Sequence, residues 1–239
     1  MTGIFESENL KSDFTEFQAV LLKTNEFKFA IDETHKPHLK KYHRITYALA
    51  LVENKLEALY NDRNKFLFIN EILSDLLSNA SISFIGFQYA SEILKRRILE
   101  NFYNHIYYFE HPVEFELLNL GKNEYTPILE LKNYLIGHPR IKALKEDKIK
   151  QFNDSIFQEY QELCRVVHTK GDNFMGLAKN LQEIKPEYSL TPKIEKTNKD
   201  LLSILYILFK FHEELEYTAT EQDIIVKSFP KDIRSNLLE

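Results

Sequence analysis

Residues 81–114 decide how the chain can fold, and they read SISFIGFQYASEILKRRILENFYNHIYYFEHPVE. The stretch carries no charge before Glu92, then a polar cluster at residues 96–101, then aromatic residues up to His111-Pro112. At 1.5 Å per residue, a helix over residues 81–109 would be about 40 Å long, which is enough to cross a domain. The sequence therefore predicts one long central helix, around which the other helices pack.

The composition favours a bundle of helices. Six glycines, seven prolines and no tryptophan in 239 residues give few turn positions for a protein made of strands. Helical periodicity along the rest of the chain predicts an all-α fold of about eight to ten helices. We expect a single all-α domain over residues 1–239, and the periodicity gives no firm domain boundary within it.

Charge and cysteine content exclude several classes of protein. A formal net charge of −5 gives no global basic footprint, so a nucleic acid would have to contact a local patch. The single cysteine, Cys164, rules out an internal disulfide and a multi-cysteine zinc site. We see neither a secretory signal nor an apolar stretch of membrane-spanning length, so we expect a cytoplasmic protein without membrane contact. We also expect no metal and no cofactor.

A polar stripe is predicted on the central helix. At about 100° per residue, Arg97, Glu100, Asn101, Asn104 and Tyr108 fall on one face, and apolar residues occupy the opposite face. Arg97 and Glu100, three positions apart, are expected to pair, which would hold the guanidinium in a fixed direction for a phosphate or carboxylate. The alternative is a buried Arg–Glu pair that only joins helices.

A second cluster ends the helix that is predicted to run from residue 152 to a C-cap at Gly171. His168 is placed in its last turn, where the helix dipole favours a protonated imidazole, and Arg165 and Lys170 add positive charge. These features suit phosphate or RNA chemistry, with His168 as general acid or base and an arginine stabilising charge on phosphorus. Cys164 allows a nucleophile pair with His168, but a lone cysteine in a helix is usually a small core residue.

Two motifs stand out within residues 80–170. One is RILEN at residues 97–101, followed by the aromatic run and His111-Pro112; the other is Y-x-x-L-C-x-x-V-H at residues 160–168. With these motifs the chain resembles the divergent HEPN-like domains of bacterial abortive-infection and antiphage proteins. The resemblance implies a HEPN-like core at residues 80–170, with helical extensions at residues 1–79 and 172–239 packed on it. The resemblance implies an all-α, usually dimeric fold, and often a metal-independent endoribonuclease in which an arginine and a histidine engage the 2′-hydroxyl and phosphate of RNA.

The resemblance also implies which residues form the site. The usual signature is R-x4-6-H in one helix, whereas only two residues separate Arg165 from His168, so Arg97 of the central helix is the expected partner of His168. The residues expected to carry catalysis are Arg97, Glu100, Asn101 and His168. The residues expected to bind RNA are Arg96, Arg165, Lys170 and Tyr108.

Two functions are expected from these patterns. The first is an RNA-binding protein or toxin-type endoribonuclease of an antiphage or abortive-infection system, acting as a homodimer or with a partner protein from the same operon. The alternative is a catalytically inactive interaction or regulatory subunit of a defence complex, in which the same residues form a buried structural network.

Overall fold

The computed structural model describes residues 8–22, 35–84, 87–144, 147–167 and 190–237. Within these ranges it contains eleven α-helices, a short 3-10 turn at Arg63–Lys65 and no strand, which confirms the all-α prediction for this part of the chain. None of these helices combines the length and the apolar character needed to cross a membrane. The helices are α1 (Glu8–Leu22), α2 (Lys36–Leu59), α3 (Leu67–Phe84), α4 (Gln88–Tyr108), α5 (Pro112–Asn119), α6 (Ile128–Gly137), α7 (Pro139–Leu144), α8 (Asp147–Val167), α9 (Leu190–Phe211), α10 (Ala219–Ser228) and α11 (Lys231–Leu237).

The prediction of one continuous helix over residues 81–109 was wrong. Residues 81–84 are the last turn of α3, and α4 begins only at Gln88. The two helices pack against each other in antiparallel order, since Asn79 Nδ2 donates to the Ser91 carbonyl at 2.6 Å and the Phe68 ring stacks on Tyr108 near the opposite ends. Apolar spacing did not reveal the break, because two packed helices and one long helix bury the same kind of face.

A large hydrophobic cluster joins most of the helices, and Phe115 of α5 packs with Phe68 and Tyr108 in a second, smaller one. The residues predicted for the apolar face of the central helix are all buried in the large cluster; they are Ile98, Leu99, Phe102, Ile106 and Phe109. Leu49 and Leu56 of α2 are buried in it as well. Every residue from 201 to 208 of α9 is buried, as expected for a helix that has neighbours on all sides. α9 packs against α2 and α8, while α4 packs against α3, α5, α6 and α8. α4 is therefore held by four other helices, while its polar stripe lies along a groove that Arg97, about half exposed, helps to line.

Two predicted breaks shape the region beside that stripe. Gly121 ends α5 with φ +65°, and the Lys122 N–H donates to the Leu117 carbonyl at 2.9 Å, which is the Schellman pattern of a helix end. Gly137 ends α6, and α7 begins two residues later at Pro139. The short helices α5, α6 and α7 are thus separated by breaks that the sequence predicts.

Candidate functional site

A groove of about 700 Å³ follows the polar stripe of α4. Arg97, Glu100, Asn101 and Asn104, which the helical spacing placed on one face, all line this groove. Its other walls come from α3, α5, α8 and the segment between α5 and α6. Those walls include Phe68, Glu71, Phe115, Asn119, Tyr125, Thr126 and Tyr160.

Arg97 of the groove and its neighbour Arg96, which does not line the groove, are paired differently from the prediction. Arg96 Nη2 donates to Glu100 Oε1 at 2.7 Å, one turn along α4. Arg97 instead reaches α3, where its Nη2 lies 2.9 Å from Glu71 Oε2 and its Nε 3.4 Å from Asp75 Oδ2. The expected Arg97–Glu100 pair was wrong because α3 presents two carboxylates to Arg97. Burial raises the pKa of Asp75, and the positive charge of Arg97 opposes that rise.

These pairs set the charge of the groove. The two arginines face three carboxylates, so this part of the surface carries no surplus of positive charge. Binding along a phosphate chain depends on such a surplus, because each phosphate contact needs an available cation. The groove is therefore better suited to an uncharged polar group than to a phosphate in its present pairing.

Asn104 presents an unsatisfied acceptor at the groove. The residue is only 6% exposed, and its Oδ1 is buried without a hydrogen-bond partner among the described residues. Buried polar atoms in native proteins are nearly always hydrogen-bonded, and leaving one unpaired costs about 1–3 kcal/mol. An N–H or O–H group of a molecule bound in the groove would satisfy this oxygen if the Asn104 amide turned to expose it.

Tyr108, which was expected to bind RNA, does not line the groove, whereas Tyr125 and Tyr160 do. Tyr108 is 3% exposed, and its ring packs on Phe68 at 5.7 Å and Phe115 at 5.5 Å between centroids. Its ring faces are thus covered by protein in this structure. Tyr125, by contrast, is 61% exposed beside the groove, and Tyr160 is partly exposed with the Arg96 guanidinium 5.8 Å from its ring centroid.

The remaining predicted site residues are not gathered in the groove. Arg165 is exposed on α8, where its Nη1 pairs with Glu162 Oε1 at 2.8 Å, and it does not line the groove. His168 and Lys170 lie outside the described residues, so the pairing of His168 with Arg97 stays a prediction. Cys164 is partly buried on α8.

A buried ionic cluster was missed by sequence reasoning. Lys95 Nζ of α4 lies 2.6 Å from Glu159 Oε1 of α8 and 2.9 Å from Asp200 Oδ2 of α9, and all three residues are buried. Lys196 contacts the other oxygen of Glu159. Burial raises the pKa of Asp200, whereas the two lysines outweigh burial and lower the pKa of Glu159. The sequence did indicate that Lys95 is buried, because it lies two helical turns before Phe102 on the apolar face of α4.

A pair of buried histidines joins α4 to the end of α9. The Nε2 atoms of His105 and His212 lie 2.8 Å apart, and both residues are 1% exposed. Burial lowers the pKa of both imidazoles. Burial would raise the pKa of Glu214, but its hydrogen bond with His212 helps to lower it to about 2. Both histidines are fully enclosed, so this pair is a structural link between the helices.

The described residues contain no group of three or more histidine, cysteine or acidic side chains arranged to hold a metal ion. The chain matches no protein-family model, and no similar protein was found among curated proteins or solved structures. Its function has to be inferred from the groove on α4 and the clusters around it.

Proposed function

We propose that the protein is an RNA-binding, HEPN-like effector of a bacterial antiphage system, and that the α4 groove receives an unpaired base. The observation that carries this proposal is the buried, unpartnered Oδ1 of Asn104 at the groove. The motifs at residues 97–101 and 160–168 supply the family resemblance, which implies a dimeric fold. We propose that the protein acts in the cytoplasm as a homodimer or with a partner from the same operon.

The groove has the chemistry of base recognition. Asn101, Asn104 and Asn119 line it, and an asparagine amide offers two donors and one acceptor to a base edge. Tyr125 and Tyr160 stand at its wall, where aromatic rings can stack on a base. Sequence-specific RNA recognition commonly combines hydrogen bonds to the base edge with stacking on aromatic rings, and it acts on unstacked bases. A volume of about 700 Å³ lies within the usual range of ligand pockets.

Cleavage of RNA is a further part of the proposal. It would require Arg97 to turn from Glu71 and Asp75 towards a phosphate and His168 to act as general acid or base. The Arg97–Glu71 pair is about half exposed on both sides, and such surface pairs are worth only about 0–1 kcal/mol. An incoming phosphate can therefore compete with Glu71 for the guanidinium.

Binding of short RNA tests the base-binding groove. Fluorescence anisotropy with fluorescein-labelled 12-nucleotide single-stranded RNAs should show that Asn104→Leu weakens binding by about tenfold or more, because one buried hydrogen bond to the base is lost. The same substitution should not lower the melting temperature, since it removes an unpaired buried acceptor.

Asn133→Leu is the matched control for this experiment. Asn133 is exposed on α6 and does not line the groove, so this variant should bind as the wild type does. The proposal fails if the wild type binds none of the RNAs at low salt, or if Asn104→Leu and wild type bind equally.

A second candidate function, a catalytically silent interaction subunit, is favoured by the ion pairs of the arginines. Arg96 and Arg97 already have carboxylate partners within the chain, as expected of residues that join helices. Arg97→Ala distinguishes the two functions. Under the RNA proposal it weakens RNA binding or cleavage with little change in melting temperature, whereas under the second it lowers only the melting temperature.

A further inference from the structure

The helix α5 turns an apolar face outward. Val113, Leu117 and Leu120 are 63%, 37% and 66% exposed, while Phe115 on the opposite side is 2% exposed. Val113, Leu117 and Leu120 are spaced by four and three residues, so their side chains lie within an arc of about 60° around the helix. We call these three residues the α5 stripe.

The α5 stripe belongs to a concentration of exposed apolar residues. Of the nine large apolar side chains exposed among the described residues, five lie between residues 113 and 129, with Tyr125 and Leu129 added to the stripe. Apolar residues scattered singly over a surface need no explanation, but a contiguous exposed group marks an interaction surface. This group lies on a short helix and the segment that follows it.

Acidic residues flank the α5 stripe on both sides. Glu114 and Glu116 lie on the two sides of the stripe around the helix, and Glu124 follows in the next segment. None of these three carboxylates has an ion-pair partner among the described residues. Residues 112–130 contain four glutamates and only one basic residue, Lys122. The flanks of the stripe are therefore strongly negative.

The position of α5 is fixed before any partner arrives. Phe115 anchors the helix with its ring 5.3 Å from Phe68 and 5.5 Å from Tyr108, and the Schellman hydrogen bonds at Gly121 hold its end. A rigid face loses little conformational freedom when it binds, which favours affinity.

We infer that the α5 stripe docks a basic amphipathic helix of a partner protein. Leucine-like side chains of that helix would cover Val113, Leu117 and Leu120, and lysines or arginines beside them would pair with Glu114 and Glu116. A second copy of this chain fits less well, because a two-fold contact on this face would set the same acidic flanks against each other. This inference goes beyond RNA binding and uses the opposite side of α5 from the groove.

A designed peptide tests the surface directly. The probe is a fluorescein-labelled 16-residue helical peptide with leucines along one face and lysines on both sides of that face. A scrambled peptide of the same composition controls for non-specific attraction to an acidic protein. Anisotropy should show that the amphipathic peptide binds at least about tenfold tighter than the scrambled one.

Substitutions in the protein localise the binding. Leu117→Ser combined with Leu120→Ser should abolish the preference for the amphipathic peptide, and Glu114→Gln with Glu116→Gln should weaken it and reduce its salt dependence. Leu77→Ser is the matched control, because Leu77 is 55% exposed on α3 and outside the stripe. RNA binding by the groove should be unchanged in all these variants, so the two proposals fail independently.

Three results would overturn the inference. The first is equal affinity for the two peptides. The second is loss of peptide binding in Leu77→Ser to the same extent as in the double leucine variant. The third is a dimer, seen by sedimentation of the wild type, that Leu120→Ser dissociates, since the stripe would then bind a second copy.

Discussion

Lys95 holds a positive charge inside the protein between two carboxylates. It is 7% exposed, and Glu159 and Asp200 contact its ammonium group from two other helices. Removing ions from water costs several kcal/mol for each ion, and in a buried cluster their mutual attraction offsets that cost. Each member of the cluster therefore depends on the others being present.

Lys95→Met is expected to lower the free energy of unfolding by about 3–5 kcal/mol, because it leaves buried carboxylates without their main partner. Urea denaturation followed by circular dichroism measures this change. Adding Asp200→Asn should recover part of the loss, since the double variant has one fewer uncompensated charge.

Lys132→Met is the matched control for that prediction. Lys132 Nζ pairs with Asp154 Oδ1 at 2.7 Å, but the two side chains are 21% and 46% exposed. Such a pair is worth about 0–1 kcal/mol. Equal losses from the two lysine substitutions would show that burial does not set how strongly each ion pair affects stability.

The sequence predicts some of the residues that line the groove. Arg97, Asn101 and Asn104 share it because the angle between residues on one helix is a local property of the chain. The partners of Arg97 could not be predicted in the same way. Glu71 and Asp75 come from α3, and their approach depends on how two helices pack, which no spacing within α4 records.

The ends of α5 and α6 each have a glycine, and the two glycines differ in backbone conformation. Gly121 has a φ of +65°, and a Cβ built there would meet nothing within 4 Å. Gly137 has the same free space without the positive φ. Steric room is thus equal at the two positions, and backbone conformation is what differs between them.

Gly121→Ala is expected to destabilise the protein by about 1–2 kcal/mol, because an L-residue is strained in the left-handed region. Gly137→Ala should instead stabilise it by about 0.4–1 kcal/mol, because it lowers the conformational entropy of the unfolded chain. Thermal or urea unfolding of both variants checks the prediction. The assignment of the α5 end would be wrong if Gly121→Ala were neutral or stabilising.

Helix ends marked by glycine or proline were easier to predict than the break between α3 and α4. Gly121 and the pair Gly137 and Pro139 end or begin helices where the sequence indicated. The run from Ser81 to Phe87 has apolar residues on both sides of the break, so its pattern did not separate two packed helices from one.

The whole protein is expected to lose stability in mild acid because of the histidine pair. The folded protein has lowered pKa values at His105 and His212, so below about pH 6.5 the unfolded chain takes up protons that the folded protein does not. Stability therefore falls as the pH drops, by up to about 1.4 kcal/mol per pH unit for each histidine.

His105→Gln isolates this effect from other titrating groups. The variant removes one of the two buried imidazoles, so the fall in unfolding free energy between about pH 6.5 and 4.5 should be clearly shallower than in the wild type. Urea denaturation at several pH values measures both slopes. Identical slopes would show that the histidine pair does not control the response to acid.

The packing of α2 against α9 has a consequence for synthesis on the ribosome. The end of α2 at Leu59 and the start of α9 at Leu190 are separated by a stretch that takes roughly 7–26 s to translate at about 5–20 residues per second. During that interval α2 lacks α9, which packs against it in the finished protein. The nascent chain therefore presents an apolar surface to chaperones until α9 has left the exit tunnel.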